Sequence, residues 1–180
     1  MATTHAAVAG AGHAKTVAGR SPTGYILSYG VSYEGSDLYA CRQQCAASAL
    51  AVHDAFVSKC GFAPTFQPKL NADVTASGIV NDVRRVAKGV STYDVVVVFF
   101  SGHGNRRQDA ACMVDSAGGV VSVRELQAAH ADEVHRCGVQ AISFVIILDC
   151  CQCRPPGRLI VCVGAEASRC SNLVVNRVVE

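Results

Sequence analysis

The sequence has no apolar run long enough to cross a membrane. Its longest, residues 95–100, falls far short of the roughly 20 residues that span a bilayer. Nor does either charge dominate: 16 Lys and Arg stand against 14 Asp and Glu, giving a net charge of +2 and a pI near 8.1. That balance excludes a protein held mainly on a phosphate backbone, so neither nucleic acid nor membrane is expected as a partner. Residues 1–21 lack the continuous apolar stretch of a secretory leader. They also lack acids and carry Lys15 and Arg20, as organelle transit peptides do, but their loose mixture of Ala, Gly, Thr and Val fits a disordered tail. We therefore read residues 1–22 as tail and 23–180 as one domain. There is no internal repeat, and no low-complexity segment beyond the tail.

What is present is a core and many thiols. Half of the 180 residues are apolar and the mean hydropathy is +0.26, enough for one well-filled domain. Ten cysteines without a secretory signal read as reduced thiols in the cytoplasm rather than as a disulfide framework.

Strand-like runs alternate with helix-period segments. Residues 25–29 read as a strand. From Leu38 to Cys60 the positions Cys41, Cys45, Ala49, Val52, Phe56 and Cys60 recur at steps of three and four, and Gly61 follows as a stop. Residues 62–70 are weakly extended and are broken by Pro64 and Pro68. Ile79, Val83, Val86 and Val90 give a second helix that Gly89 would end. Residues 95–100 lack alternation, as expected of a parallel strand covered on both faces. A small hairpin is expected over 112–123. Ser122-x-x-Glu125 is a capping box for a third helix, with Leu126, Ala129, Val134 and Cys137 inside and Gly138 as its stop. Strands at 142–148 and 159–163 complete the series. Strands separated by helices imply right-handed crossovers, hence an α/β fold: a three-layer α/β/α sandwich around a mainly parallel sheet.

In such sheets chemistry gathers beyond the carboxyl ends of the strands. Ser101-Gly102-His103-Gly104 follows one strong strand and Asp149-Cys150-Cys151-Gln152-Cys153 the other. A histidine and a cysteine on neighbouring strand ends can share a proton, the imidazole favouring the thiolate and then protonating a leaving amine. Glycines on either side of the histidine let a backbone N–H approach a substrate carbonyl.

Phe99-Phe100-Ser101-Gly102-His103-Gly104 and Ile147-Leu148-Asp149-Cys150-Cys151 together resemble the caspase-like cysteine peptidase clan, closest to its metacaspase and paracaspase branches. His103 lies about 50 residues before Cys151, the separation of the caspase signature. The resemblance runs from about Gly24 to Asn176 and implies a caspase-like fold. It implies Cys151 as nucleophile, His103 as acid and base, the backbone N–H groups of Gly104 and Cys151 as oxyanion donors, and Ser101 and Asp149 as supports. The substrate would be a peptide or protein. The chain departs from the pattern at three places. Gln44 stands where metacaspases carry an acidic selector, Leu38 falls where caspases carry a selecting Arg, and Cys153 replaces a small residue. Few residues follow Cys151, so the chain resembles the large-subunit half of the family fold with a short remnant. An inactive homology module that binds or regulates a partner through an exposed sheet edge is therefore the alternative function. A redox-sensing thiol protein is a third.

Other residues have plainer readings. Adjacent strand residues face opposite ways, so Cys150 would be buried beside the sheet if Cys151 meets His103. Cys151-x-Cys153 is too tight for a structural zinc pair, and no metal or cofactor is expected. Some metacaspases are activated by calcium, but Asp109 and Asp115 are too sparse to carry that over. Cys41, Cys45 and Cys60 read as core of the first helix and His53 as its exposed side. His130 and His135 fall on the third helix, solvated or partly packed. Arg84-Arg85 reads as a solvated face; Arg106-Arg107 is either an exposed basic turn or a subsite for acidic peptide residues.

Overall fold

The structure, a computed structural model, describes residues 20–35, 43–107 and 110–150, together with the backbone of 158–164 and 170–176. Six strands form one sheet in the order β2-β1-β3-β7-β8-β9, and three more form a small sheet in the order β4-β5-β6. The parallel centre comprises β1 (Gly24–Gly30), β2 (Lys69–Leu70), β3 (Val95–Gly102) and β7 (Ser143–Cys150). Between them run the helices α1 (Gln44–Cys60), α2 (Ala76–Gly89) and α3 (Val123–Arg136).

Alternation along the strands sorts the core into two layers. Leu27 and Tyr29 of β1, Val96, Val98 and Phe100 of β3, and Phe144, Ile146 and Leu148 of β7 join Ile79, Val83, Val86, Leu126 and Ala129 of α2 and α3. Ile26, Val97 and Phe99 face the other way, onto Ala49 of α1. A strand buried on both faces cannot alternate in polarity, which is why 95–100 reads as an unbroken apolar run. The expected three-layer α/β/α sandwich with a mainly parallel sheet is what the chain forms.

The helix boundaries follow local chemistry. Thr75 caps α2, its hydroxyl accepting from the Gly78 N–H at 3.0 Å, and the helix ends at Gly89. Ser122 and Glu125 close the capping box of α3 at 3.2 and 2.7 Å. The Ser122 backbone N–H first, and its hydroxyl second, hold the Glu125 carboxyl below its ordinary range. Gly61 ends α1 at φ 71° and Gly138 follows α3 at φ 67°, both in the left-handed region that glycine adopts without strain. The described part of the first helix starts at Gln44; Leu38 and Cys41 lie outside the described residues.

β8 (Arg158–Gly164) is antiparallel to β7, and β9 (Cys170–Asn176) pairs with its far side. Several expectations are corrected. The hairpin gains a third strand: β4 (Gly104–Arg107) pairs with β5 (Ala110–Val114), which pairs with β6 (Val120–Ser122). His53 is buried, not exposed, because its Nε2 lies 2.8 Å from the Phe66 carbonyl oxygen and so has a partner inside. His130 is buried as well, stacked on Phe144 with ring centroids 4.1 Å apart. Cys60 and Cys137 are exposed at their helix ends, and only Cys45 of the first-helix thiols considered above is a described core residue.

The tail expected over 1–22 falls outside the described residues up to position 19. Among the described residues, no helix is long and apolar enough to cross a membrane.

Candidate active site

The register of the central strands puts the two motifs side by side. Ser101 is opposite Asp149 and Gly102 is opposite Cys150, so β3 and β7 end level with each other as parallel neighbours. The chain therefore enters His103 from one strand end, level with Asp149 and Cys150 at the end of the next. Ser101, almost fully buried, donates its hydroxyl to Asp149 Oδ2 at 3.1 Å and ties the two ends together. Cys150 is half-buried and packs with the larger core cluster, on the side of Leu148 and Ile146. Cys151, Gln152 and Cys153 lie outside the described residues.

Gln44 is brought to the same end of the sheet. A Cβ on Gly30 would sit 2.6 Å from the Cys45 carbonyl oxygen, so the first turn of α1 rests directly on the end of β1. Gly30 in turn is opposite Ser101. Gln44 itself is exposed there and carries no charge.

His103 is half-buried and is held through its backbone. Its carbonyl accepts from the Val114 N–H at 3.0 Å. Its own N–H goes to the Tyr33 hydroxyl at 2.9 Å, and that hydroxyl donates to the Val114 carbonyl at 2.5 Å. The phenol ring stands 4.6 Å from the imidazole, inclined at 59°. Tyr33 gives no periodic or motif signal, because its partners lie 70 and 81 residues away. Only the fold reveals it.

The orientation of Gly104 follows from that pairing. In an antiparallel ladder, residues that bond across the strands alternate with residues that do not. His103 and Val114 bond across, so Gly104, opposite Met113, directs its N–H away from β5. Next along β4, Asn105, Arg106 and Arg107 are exposed.

Other candidates are accounted for elsewhere. Asp115 is consumed as a turn clamp, accepting from the N–H groups of Ala76, Ala117 and Gly119 at 2.7, 2.9 and 2.6 Å. Arg85 is exposed but tied, pairing with Asp82 at 2.9 Å and lying over the Phe66 ring. Among the described residues, no group of three or more His, Cys, Asp or Glu could hold a metal ion. An open groove of about 640 Å³ lies at the β2 edge, lined by Tyr25, Phe66, Lys69 and Arg85, and does not include His103.

The comparison with curated proteins returned no match. Among solved structures, the chain is similar to protein GSU0716 from Geobacter sulfurreducens, with a TM-score of 0.56 at 20% identity. The likeness covers 72% of this chain and 51% of that one, so the chain spans about half the length of this neighbour. Residues 26–172 match the family model of the caspase domain. With residues 26–172 of its 180 matched, the chain belongs to the caspase-domain family of peptidases.

Proposed function

We propose that the chain is a cysteine endopeptidase of the caspase and metacaspase type, working through Cys151 and His103. The single observation that supports this reading is the register of β3 against β7, which brings the two motifs to adjacent strand ends. In the proposed reaction the Cys151 thiolate attacks a peptide carbonyl carbon, and the carbonyl π electrons move onto oxygen. The backbone N–H groups of Gly104 and Cys151 stabilise that oxyanion. The intermediate collapses to a thioester as the C–N bond breaks, and the His103 imidazolium gives its proton to the departing amine. The neutral imidazole then takes a proton from water, whose oxygen attacks the thioester carbon; the C–S bond breaks, the thiolate leaves beside the imidazolium and the carboxylic acid is released. No metal or cofactor is required for these steps.

The outward N–H of Gly104 fits an oxyanion donor, a role usually worth about 10²–10³ in rate. The Ser101–Asp149 hydrogen bond supports the site by fixing one strand end against the other. Gln44, at the first turn of α1 beside the end of β1, would not select a basic residue before the scissile bond, since an uncharged amide offers no ion pair. The partner is a peptide or protein chain. Association of copies or other proteins would use β9, the edge strand of the described sheet on the side away from β2.

The test is cleavage of a mixed peptide library by the reduced protein, with and without calcium, beside Cys151→Ala. Cleavage that disappears in the variant supports the peptidase, and the cut sites give its specificity. Cleavage that persists in the variant, or folded protein that cleaves nothing, overturns it; the second result favours a non-catalytic caspase-domain module that acts by binding.

A further inference from the structure

We propose that Tyr33 is a positioning residue for the site, with its hydroxyl built into the β4–β5 ladder to set the place of His103 and Gly104. The inference rests on the peptidase reading for its catalytic consequence, although the tie itself is a matter of geometry. In a regular antiparallel pair, His103 and Val114 would exchange two direct backbone hydrogen bonds. One is present, from the Val114 N–H to the His103 carbonyl at 3.0 Å. In place of the other stands a phenol oxygen, accepting from the His103 N–H at 2.9 Å and donating to the Val114 carbonyl at 2.5 Å. The hydroxyl thus spreads one side of the first pair by one oxygen atom, just where the chain leaves β3 to become β4.

Three further features fit a built wedge rather than an incidental contact. Tyr33 is 3% exposed and Val114 2%, so the Val114 carbonyl would lose this donor away from bulk water if the hydroxyl were absent. Its backbone sits at φ 59°, a conformation that costs a bulky residue free energy and persists where the surroundings over-determine it. Finally, a Cβ on Gly102 would lie 3.0 Å from the Tyr33 hydroxyl and 2.8 Å from the Phe100 ring. The residue before His103 therefore leaves room for the phenol. A side chain held in this way affects the imidazole twice, through the backbone N–H and through the ring face beside it.

The experiment compares the full-length wild-type chain with Tyr33→Phe, which keeps the ring and removes the oxygen. We expect kcat on a cleaved library peptide to fall at least tenfold, with KM within twofold. The His103 imidazole carbon–proton signals should move, while those of His53 and His130 stay in place. A kcat within twofold of wild type overturns the inference, and so do unmoved His103 signals. If neither wild type nor variant cleaves any peptide, the peptidase reading fails on its own, and the imidazole signals still decide whether the wedge positions the ring. Gly102→Ala perturbs the same oxygen from the opposite side. It should shift the same His103 signals, and their constancy would also count against the wedge.

Discussion

The two faces of the central sheet are built for different tasks. On the α2 and α3 side, Phe100, Ile146, Leu148, Leu126 and Val83 form a continuous buried layer. On the α1 side, the buried hydrophobic cluster among the described residues is Ile26, Ala49, Val97 and Phe99, and Val145 and Ile147 of β7 are half-covered. Ser101 and Asp149 follow Phe99 and Ile147 in alternation, so the polar pair of the candidate site emerges on this thinner side. The contrast teaches that, among the described residues, one face carries most of the apolar burial, while the candidate site's polar pair lies on the other at its carboxyl end.

Truncation on each face breaks the comparison most directly. Leu126→Ala, a fully buried position in the thick layer, should cost about 2–5 kcal/mol of unfolding free energy. Val145→Ala on the thin side should cost only about 1 kcal/mol, since its side chain is already partly in water. Urea titrations of both variants would show this, and equal losses would contradict the division.

A pH effect of comparable size belongs to the thick face. His130 sits among Phe144 and the helix α3 with its Nε2 buried and unpartnered, and burial pushes its pKa down to about 4. The neighbouring Glu133 carboxylate is engaged by Arg136 at 3.2 Å. In the unfolded chain the imidazole charges near pH 6.5, whereas in the fold it stays neutral down to about 4. The contribution is therefore complete above pH 6.5 and is lost as pH falls towards 4, by up to about 3 kcal/mol. Denaturation between pH 8 and 4.5 should show that slope in wild type and a flatter one in His130→Leu. Parallel slopes would mean the ring is solvated.

A change of the same size as that of Val145→Ala sharpens the thin side. Ser101→Ala removes the hydroxyl that Asp149 Oδ2 accepts, and should cost about 1 kcal/mol of stability. Under the proposed function it should lower peptide cleavage by about tenfold, because the tie between the strand ends positions both reacting groups. A variant of unchanged rate would reduce the pair to a structural contact.

Much of this was legible in the residues. The unbroken run of β3, the Ser122–Glu125 box and the Gly61 stop are local statements, and local chemistry decides them. The antiparallel direction of β8 was also within reach: residues 151–157 are fewer than the dozen or so that a parallel crossover requires. β4 was not, because Gly104-Asn105-Arg106-Arg107 is polar and becomes a strand through pairing with β5. His53 read as exposed since the carbonyl that satisfies it comes from Phe66, beyond the end of its own helix. Tyr33 was invisible for the same reason on a larger scale. The site motifs themselves were plain, because a strand end followed by Gly-His-Gly or Asp-Cys-Cys is a local pattern whose meaning the sheet register then supplies.

The central claim is that a thiolate at residue 151 depends on the imidazole at the neighbouring strand end. Its most direct test is the rate at which iodoacetamide alkylates each cysteine near pH 6, located by mass spectrometry, in wild type and His103→Ala. A thiol paired with an imidazole stays reactive below its ordinary range. We expect Cys151 to react at least tenfold faster than Cys150 in wild type and to lose that advantage in the variant. Equal Cys151 rates in the two proteins would contradict the dyad.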